Sequence, residues 1–153
     1  MSIDSIDQLD FKILLELEQN ARLSNAEIGR RVGLSAPAVG ERIRSLEERG
    51  VIRGYRAIVN KDALGLPMEL FVRLTAPGHV CAELHKHLPQ FAQIVEAYRL
   101  TGDDSAIIRV AVRSISELEQ FIDQLGALGK PSSALVLSTL VEPRTITSRL
   151  NRH

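Results

Sequence analysis

The 153-residue sequence has a single cysteine, Cys81, so no disulfide can close within the chain. No apolar run approaches the roughly 20 residues that a membrane-spanning helix needs, which sets a transmembrane role aside. The opening MSIDSIDQLDFKILLELEQN places acidic residues where a secretory signal would need a basic start and an apolar core, so a cytoplasmic protein is expected. Charge of one sign is also missing, because 19 basic residues meet 19 acidic ones. That balance argues against a strongly basic nucleic-acid binder, since phosphate neutralisation supplies most non-specific affinity. The signatures of catalysis are lacking as well: there is no GxSxG, no phosphate-cradling glycine loop, no HExxH and no cysteine beside a recognisable base. An enzyme is therefore not expected. What is present is 44% apolar and 25% charged residues without low-complexity stretches, the composition of one ordinary globular domain or two small ones.

The first fifty residues read as three helices. From Asp7 to Glu18 the residues Leu9, Ile13, Leu14 and Leu17 recur at helical spacing, and Asp7 and Asp10 sit in the first turn, where the helix dipole favours acids. The run Ser24-Asn25-Ala26-Glu27 is a capping box opening a second helix to about Val32, with Ile28 and Val32 as its apolar stripe. Gly33 permits a tight turn. Ser35 can cap a third helix with Pro37 in its first turn and Val39, Ile43 and Leu46 as its buried stripe, ending at Gly50. Two short helices separated by a glycine-containing turn, after a preceding helix, describe a helix-turn-helix unit.

Beyond Val51 the pattern changes. VIRGYRAIVN reads as a strand or a linker, and KDALGLP as a turn punctuated by Gly65 and Pro67. Then come MELFVRLT (strand), GHVCAELHKHL (helix), IVEAYRLT (strand), SAIIRVAV (strand), SELEQFIDQLGAL (helix) and SALVLSTLV (strand). The order βαββαβ predicts a ferredoxin-like four-stranded antiparallel sheet with both helices on one face. The expected class is α+β, with a helix-turn-helix (winged-helix-like) domain and linker strand over residues 1–60 and a ferredoxin-like domain over residues 61–153. On the strands Leu70, Val72 and Leu74 alternate with Glu69, Phe71 and Arg73, and Ile108, Val110 and Val112 alternate with Ile107, Arg109 and Ala111. One face is apolar and the other mixed, and two helices cover only one side, so the mixed side is expected to pack on another subunit.

The zero net charge conceals an uneven distribution. Residues Arg22 to Arg56 hold eight arginines against four glutamates, whereas Met1 to Ala21 hold five acids and one lysine. With Val39 at the centre of the buried stripe, about 100° per residue puts Pro37, Glu41, Arg44 and Glu48 on the opposite face, with Ser35, Ala38, Arg42 and Ser45 at its ends or flanks. The N-terminal part of the second helix of such a motif meets base edges, so Ser35 to Ser45 is the reading segment. There Arg44 could reach a guanine or a phosphate, and Glu41 could accept from a cytosine amino group or pair with a neighbouring arginine, while Arg42 either braces the fold or touches the backbone. Glu48 is placed to pair with Arg44 one turn earlier. Arg22, Ser24 and Asn25 at the start of the preceding helix are candidate phosphate contacts, as are Arg53 and Arg56. The partner these residues imply is double-stranded DNA.

The segment IDQLDFKILLELEQNARLSNAEIGRRVGLSAPAVGERIRSLEERGVIRGYRAIVNKDALG resembles the N-terminal region of the Lrp/AsnC transcriptional regulators. That family runs LDxxDxxIL, then xxxxRxSxxEL, then GLSxxxVxxRIxxLExxGVIxGYxAxxxxxxLG. The likeness is carried here by Arg22, Ser24, Glu27, Gly33, Leu34, Ser35, Val39, Arg42, Leu46, Glu47, Gly50, Val51, Ile52, Gly54, Tyr55 and Gly65, among others. The second half is similar to the family's regulatory domain in order and length more than in motif. The resemblance implies a transcription factor without a cofactor, a homodimer that assembles to a tetramer or octamer, and an amino acid or related small effector bound between dimers. The family's effector loop has a pattern like GxYDxxL, which implies effector contacts in the hairpin loop Leu100, Thr101, Gly102, Asp103, Asp104 and Ser105. Here Gly102 matches, but Asp104 stands where an aromatic is usual and Ser105 where an aspartate is usual.

Two rival readings are open to test. His79, Cys81, His85 and His87 are all acceptable zinc ligands, and Cys81 and His85 share a helical face, but His79 and His87 diverge from them and no second ligand pair is evident, so no metal is expected. The other is a small-molecule-sensing ferredoxin-like module whose helical half contacts protein partners instead of DNA.

Overall fold

The computed structural model describes residues 6–147. It separates into two compact units, one running to Ala57 and including the residues from Val141 onward, the other Ile58–Leu140. The sheet unit starts at Ile58, and residues 141–147 group with the helices. Thr147 makes the tie: its hydroxyl and its amide both donate to the Glu18 carboxylate.

In the helical unit, α1 (Gln8–Gln19), α2 (Asn25–Val32) and α3 (Ala36–Glu48) each begin at a side-chain cap. Asp7 accepts from the Asp10 amide at 2.7 Å, and Ser35 from the Ala38 amide at 3.3 Å. Ser24 forms the full capping box: its hydroxyl accepts from the Glu27 amide at 3.2 Å, and its own amide donates to Glu27 Oε2 at 2.8 Å. Gly33 ends α2 in the left-handed region at φ 78°, and Gly50 follows α3 at φ 69°. Ile13, Ile28, Val32 and Val39 form the core, with Leu17, Leu23, Leu34 and Ile43 packed against it. Gly29 contributes something that the periodicity does not reveal. A β-carbon there would lie 2.4 Å from the Leu34 carbonyl oxygen, so only glycine lets α2 approach the turn this closely.

The sheet unit contains β1 (Met68–Thr75), α4 (Gly78–His87), β2 (Ile94–Arg99), β3 (Ala106–Val112), α5 (Ile115–Gly126) and β4 (Lys130–Leu135). The strand order is β2-β3-β1-β4, and each neighbouring pair is antiparallel. Leu70, Val72, Leu74, Ile108, Val110 and Val112 share one core with Leu84 and Leu88, at the C-terminal end of α4, and with Phe121 and Leu125 of α5, so both helices cover the same face. Phe91 meets Phe121 edge to face with centroids 5.6 Å apart. The α+β class and the βαββαβ order are as the sequence predicts.

Two elements differ from expectation. Residues 51–60 form no strand, because within one chain that segment has no ladder partner; it is linker. The last strand is Lys130–Leu135 and not residues 133–141. Its register sets Thr75 opposite Lys130 and Leu70 opposite Leu135; one more bond, from the Val136 amide to the Glu69 carbonyl at 2.9 Å, closes the pairing at the start of β1, and the apolar residues from Leu137 to Val141 lie beyond it. Pro131 is tolerated inside β4 because β4 is an edge strand that need donate on one side only.

Candidate nucleic-acid interface

The outer surface of α3 is the one that the 100° arithmetic predicts: Pro37, Glu41, Arg44 and Glu48 are exposed, while Val39 and Leu46 are buried. Ser35 is exposed at the helix start, and Ala38 and Ser45 are half-buried on its flanks. The expected pairing of Arg44 with Glu48 does not form. Among the described residues Arg44 has neither an ion pair nor a side-chain hydrogen bond, which leaves its five donors to an external acceptor. Glu47 turns to the linker, where the Tyr55 hydroxyl donates to Glu47 Oε1 at 2.9 Å. Burial of that end of the ring, together with Glu47, pushes the Tyr55 phenol up to about 12.

Arg42 is placed differently. Its Nη1 lies 2.6 Å from Asp7 Oδ2 and 2.7 Å from Asp10 Oδ1, and Arg49 Nη1 approaches Asp10 Oδ2 at 3.8 Å. Asp10 is only 6% exposed and is the one buried charged residue among those described. The Asp10 amide first, and then the Arg42 guanidinium, hold the Asp7 carboxyl below its ordinary range. The geometry is that of a brace from α1 to α3, the first of the two roles expected for Arg42. Arg31 is likewise paired with Glu16. The acids of α1 therefore neutralise arginines on the inner side, whereas Arg22, Arg30, Arg44 and Arg53 keep no ion pair or side-chain hydrogen bond among the described residues. The neutral total therefore hides a division within the unit: several arginines are paired with the acids of the first helix and its cap, while Arg22, Arg30, Arg44 and Arg53 are exposed.

At the start of α2, Arg22 is exposed, with its amide bonded to Asn20 Oδ1 at 3.0 Å. Ser24 is exposed, but its hydroxyl also donates to Glu27 Oε2 at 2.6 Å, so its polar atoms are occupied by the cap. The Asn25 amide lies over Gly40, where a β-carbon would come within 3.0 Å of Asn25 Nδ2. Asn25 thus sits where α2 meets the start of α3, beside the reading segment.

The loop Leu100–Ser105 of the sheet unit is pinned to the end of β1. The Ser105 hydroxyl accepts from the Ala76 amide at 2.9 Å and donates to the Ala76 carbonyl at 3.2 Å. Asp104 accepts from the Thr75 hydroxyl at 3.3 Å and lies 3.9 Å from Arg73 Nη1. Gly102 takes φ 101°, which few other residues adopt. The two side chains that depart from the family pattern are thus engaged within the unit, while Leu100, Thr101 and Asp103 are exposed. Among the described residues no three His, Cys, Asp or Glu side chains come together as a metal site, and His79, Cys81, His85 and His87 form none. No helix of the described chain is long and apolar enough to cross a membrane.

Comparison with known proteins agrees with this geometry. Residues 6–53 match the winged helix-turn-helix DNA-binding family, and residues 69–146 match the Lrp/AsnC ligand binding domain. The chain is 38% identical over 138 residues to the uncharacterized HTH-type transcriptional regulator YezC of Bacillus subtilis, covering 88% of this chain and 95% of that one. It is 34% identical over 120 residues to the leucine-responsive regulatory protein of Rhizobium meliloti, 76% of this chain and 77% of that one. The solved structure of Bacillus subtilis LrpC superposes with a TM-score of 0.85 at 29% identity, covering 94% of this chain and all of that one. These relatives are regulators of transcription, not enzymes. With a helix-turn-helix whose second helix turns an unpaired arginine outward, and an antiparallel sheet domain of the matching order, the chain belongs to the Lrp/AsnC family of DNA-binding transcriptional regulators.

Proposed function

We propose that this regulator reads its operator with the exposed face of α3, Pro37, Glu41 and Arg44, flanked by Ser35, Ala38 and Ser45, while Arg22 and Asn25 meet phosphates and Ser24, whose donors the cap occupies, does not. The single observation that carries this reading is Arg44, exposed at the middle of the reading helix and unpaired, while Arg42 and Arg49, half-buried toward α1, are held by acids. Arg44 can grip a guanine edge or a phosphate without first breaking an ion pair. Arg42 acts as the brace that fixes the angle of α3 and makes no DNA contact itself.

Few unpaired cations per chain mean modest affinity per copy, so useful binding needs several copies held together. The open face of the sheet supports a homodimer assembling to a tetramer or octamer. Phe71 is 41% exposed there beside Ile107, and Leu137 and Leu140 after β4 are more than nine-tenths exposed. Each dimer then offers two α3 helices to successive major grooves of a roughly palindromic site. The sheet unit senses an amino acid or related small effector near the loop Leu100–Ser105; the match to a ligand binding domain and the relative named as leucine-responsive support this reading. Effector binding acts by shifting the assembly or its geometry. The protein acts in the cytoplasm and catalyses no reaction. An electrophoretic mobility shift on the DNA upstream of its own gene tests the reading. Specific retardation that weakens as salt rises is expected, and failure to retard any DNA at low salt would refute it.

A further inference from the structure

We propose that the groove between α4 and the edge of β2 binds a small carboxylic acid that has an apolar body and no ammonium group. The proposal rests on the reading of the sheet unit as a sensor and names its ligand chemistry. The groove has a volume of about 520 Å³, within the range of small-molecule sites, and lies wholly inside the sheet unit. Leu84 and Leu88 border it from α4 and the turn after it, and Phe91, Ile94 and Ala106 complete an apolar lining.

The register explains both the space and its polarity. Ala97 pairs with Ile108 and Arg99 with Ala106, and cross-strand partners share a face. Ala97 and Arg99 therefore lie on the helix-covered side, where Ile108 and Ala106 are buried. Two alanines leave unfilled what larger side chains would occupy. On that face of the four strands Arg99 is the one charged residue, and among the described residues it has no ion pair or side-chain hydrogen bond. His85 of α4 lines the same groove and adds a ring N–H. An arginine fork beside an imidazole suits a carboxylate.

The same geometry disfavours a zwitterion. The acid that borders the groove, Glu96, pairs with Arg109 across the strands and so belongs to the other face, where Arg109 Nη2 binds it at 2.9 Å and the Tyr98 hydroxyl at 3.2 Å. The ammonium of an amino acid is one carbon from its carboxylate, so with the carboxylate on Arg99 it would lie beside that guanidinium, with no acid to meet it.

Matched pairs that differ only in the ammonium group test this: 3-phenylpropanoate against L-phenylalanine, and 4-methylpentanoate against L-leucine, titrated calorimetrically into the full chain. The acids should bind at least tenfold more tightly than their amino acids. Arg99→Gln should weaken them tenfold or more, and Ala97→Phe should abolish binding by filling the groove. Cys81 lines the groove and is the sole cysteine, so its alkylation by N-ethylmaleimide should slow when the acids are bound. Equal or tighter binding of the amino acids, affinity unchanged in Arg99→Gln and Ala97→Phe, or no binding of either acid overturns the proposal. Operator retardation by the same preparations without ligand is scored separately. Retardation without acid binding refutes the groove alone, whereas acid binding without retardation supports the groove and refutes the DNA reading.

Discussion

The helical unit and the sheet unit are stabilised in different ways. The helical unit has a small core around Ile13, Ile28, Val32 and Val39 and relies on local devices: three side-chain caps, a glycine at the point of closest approach and the brace of Asp7, Asp10, Arg42 and Arg49. The sheet unit buries one continuous layer, from Leu70 and Ile108 to Phe121 and Leu125, with Arg109 held between Glu69 and Glu96 on the opposite face of the sheet. The difference suits the two tasks. A reading helix must be held at a fixed angle while its outer face stays free, which short hydrogen-bonded contacts on its inner side accomplish. A sheet with the proposed assembly surface and ligand groove needs area more than angular definition.

The contrast can be broken at either end. Phe121→Ala should have the largest effect, about 3–5 kcal/mol lost from the sheet unit, because it empties a fully buried ring position that packs on Phe91. Chemical denaturation followed in each unit should show β1 and β3 failing first in this variant. Asp10→Asn should cost about 1–3 kcal/mol in the helical unit by leaving the Arg42 and Arg49 guanidinia without their shared anion. Faster amide exchange along α1 and α3, with the sheet unaffected, would locate it.

Acid sharpens the comparison further. The carboxyls of Asp7 and Glu27 are both held below their ordinary values of 3.8 and 4.5, Asp7 mainly by the Asp10 amide and Glu27 mainly by the Ser24 hydroxyl. A carboxyl depressed in the folded state stabilises fully above its unfolded pKa, and that contribution is lost as pH falls through the folded value. On titration from pH 5 to pH 3, NMR signals of α1 and α2 should lose dispersion before those of β1 and β3. Arg22→Ala should give the smallest effect, a uniform weakening across DNA sequences with the salt dependence of binding reduced by about one phosphate contact.

These two modes of stabilisation also decide what could be read from the chain itself. Ser24, Glu27, Gly33, Ser35 and Pro37 act within four residues of one another, so capping and turn chemistry locate α2 and α3 closely. Asp7 reads as the first residue of α1 and proves to be its cap, a shift of one position. The brace was not legible, because Arg42 meets Asp7 and Asp10 across more than thirty residues and no local pattern encodes that meeting. Gly29 escaped for a different reason: its constraint is the Leu34 carbonyl only five residues on, and helical periodicity reads side chains, not a backbone approach. In the sheet unit alternation gave the strands and their faces, yet β4 was misplaced toward the more apolar residues beyond it. Hydrophobicity marks Leu137 and Leu140, but pairing stops at Val136, at the start of β1. Of the candidate site, the outward face of α3 was legible from helical geometry, whereas the pairing that leaves Arg44 free and occupies Arg42 was not.

The central claim is that the outward face of α3 reads DNA while its inner arginines only hold it in place. Fluorescence anisotropy of Arg44→Ala against a selected operator and a scrambled duplex tests this most directly, with size exclusion confirming the native assembly. The account predicts a loss of about tenfold or more on the operator, a smaller loss on the scrambled duplex and an unchanged elution volume. Wild-type affinity for the operator in that variant would contradict it.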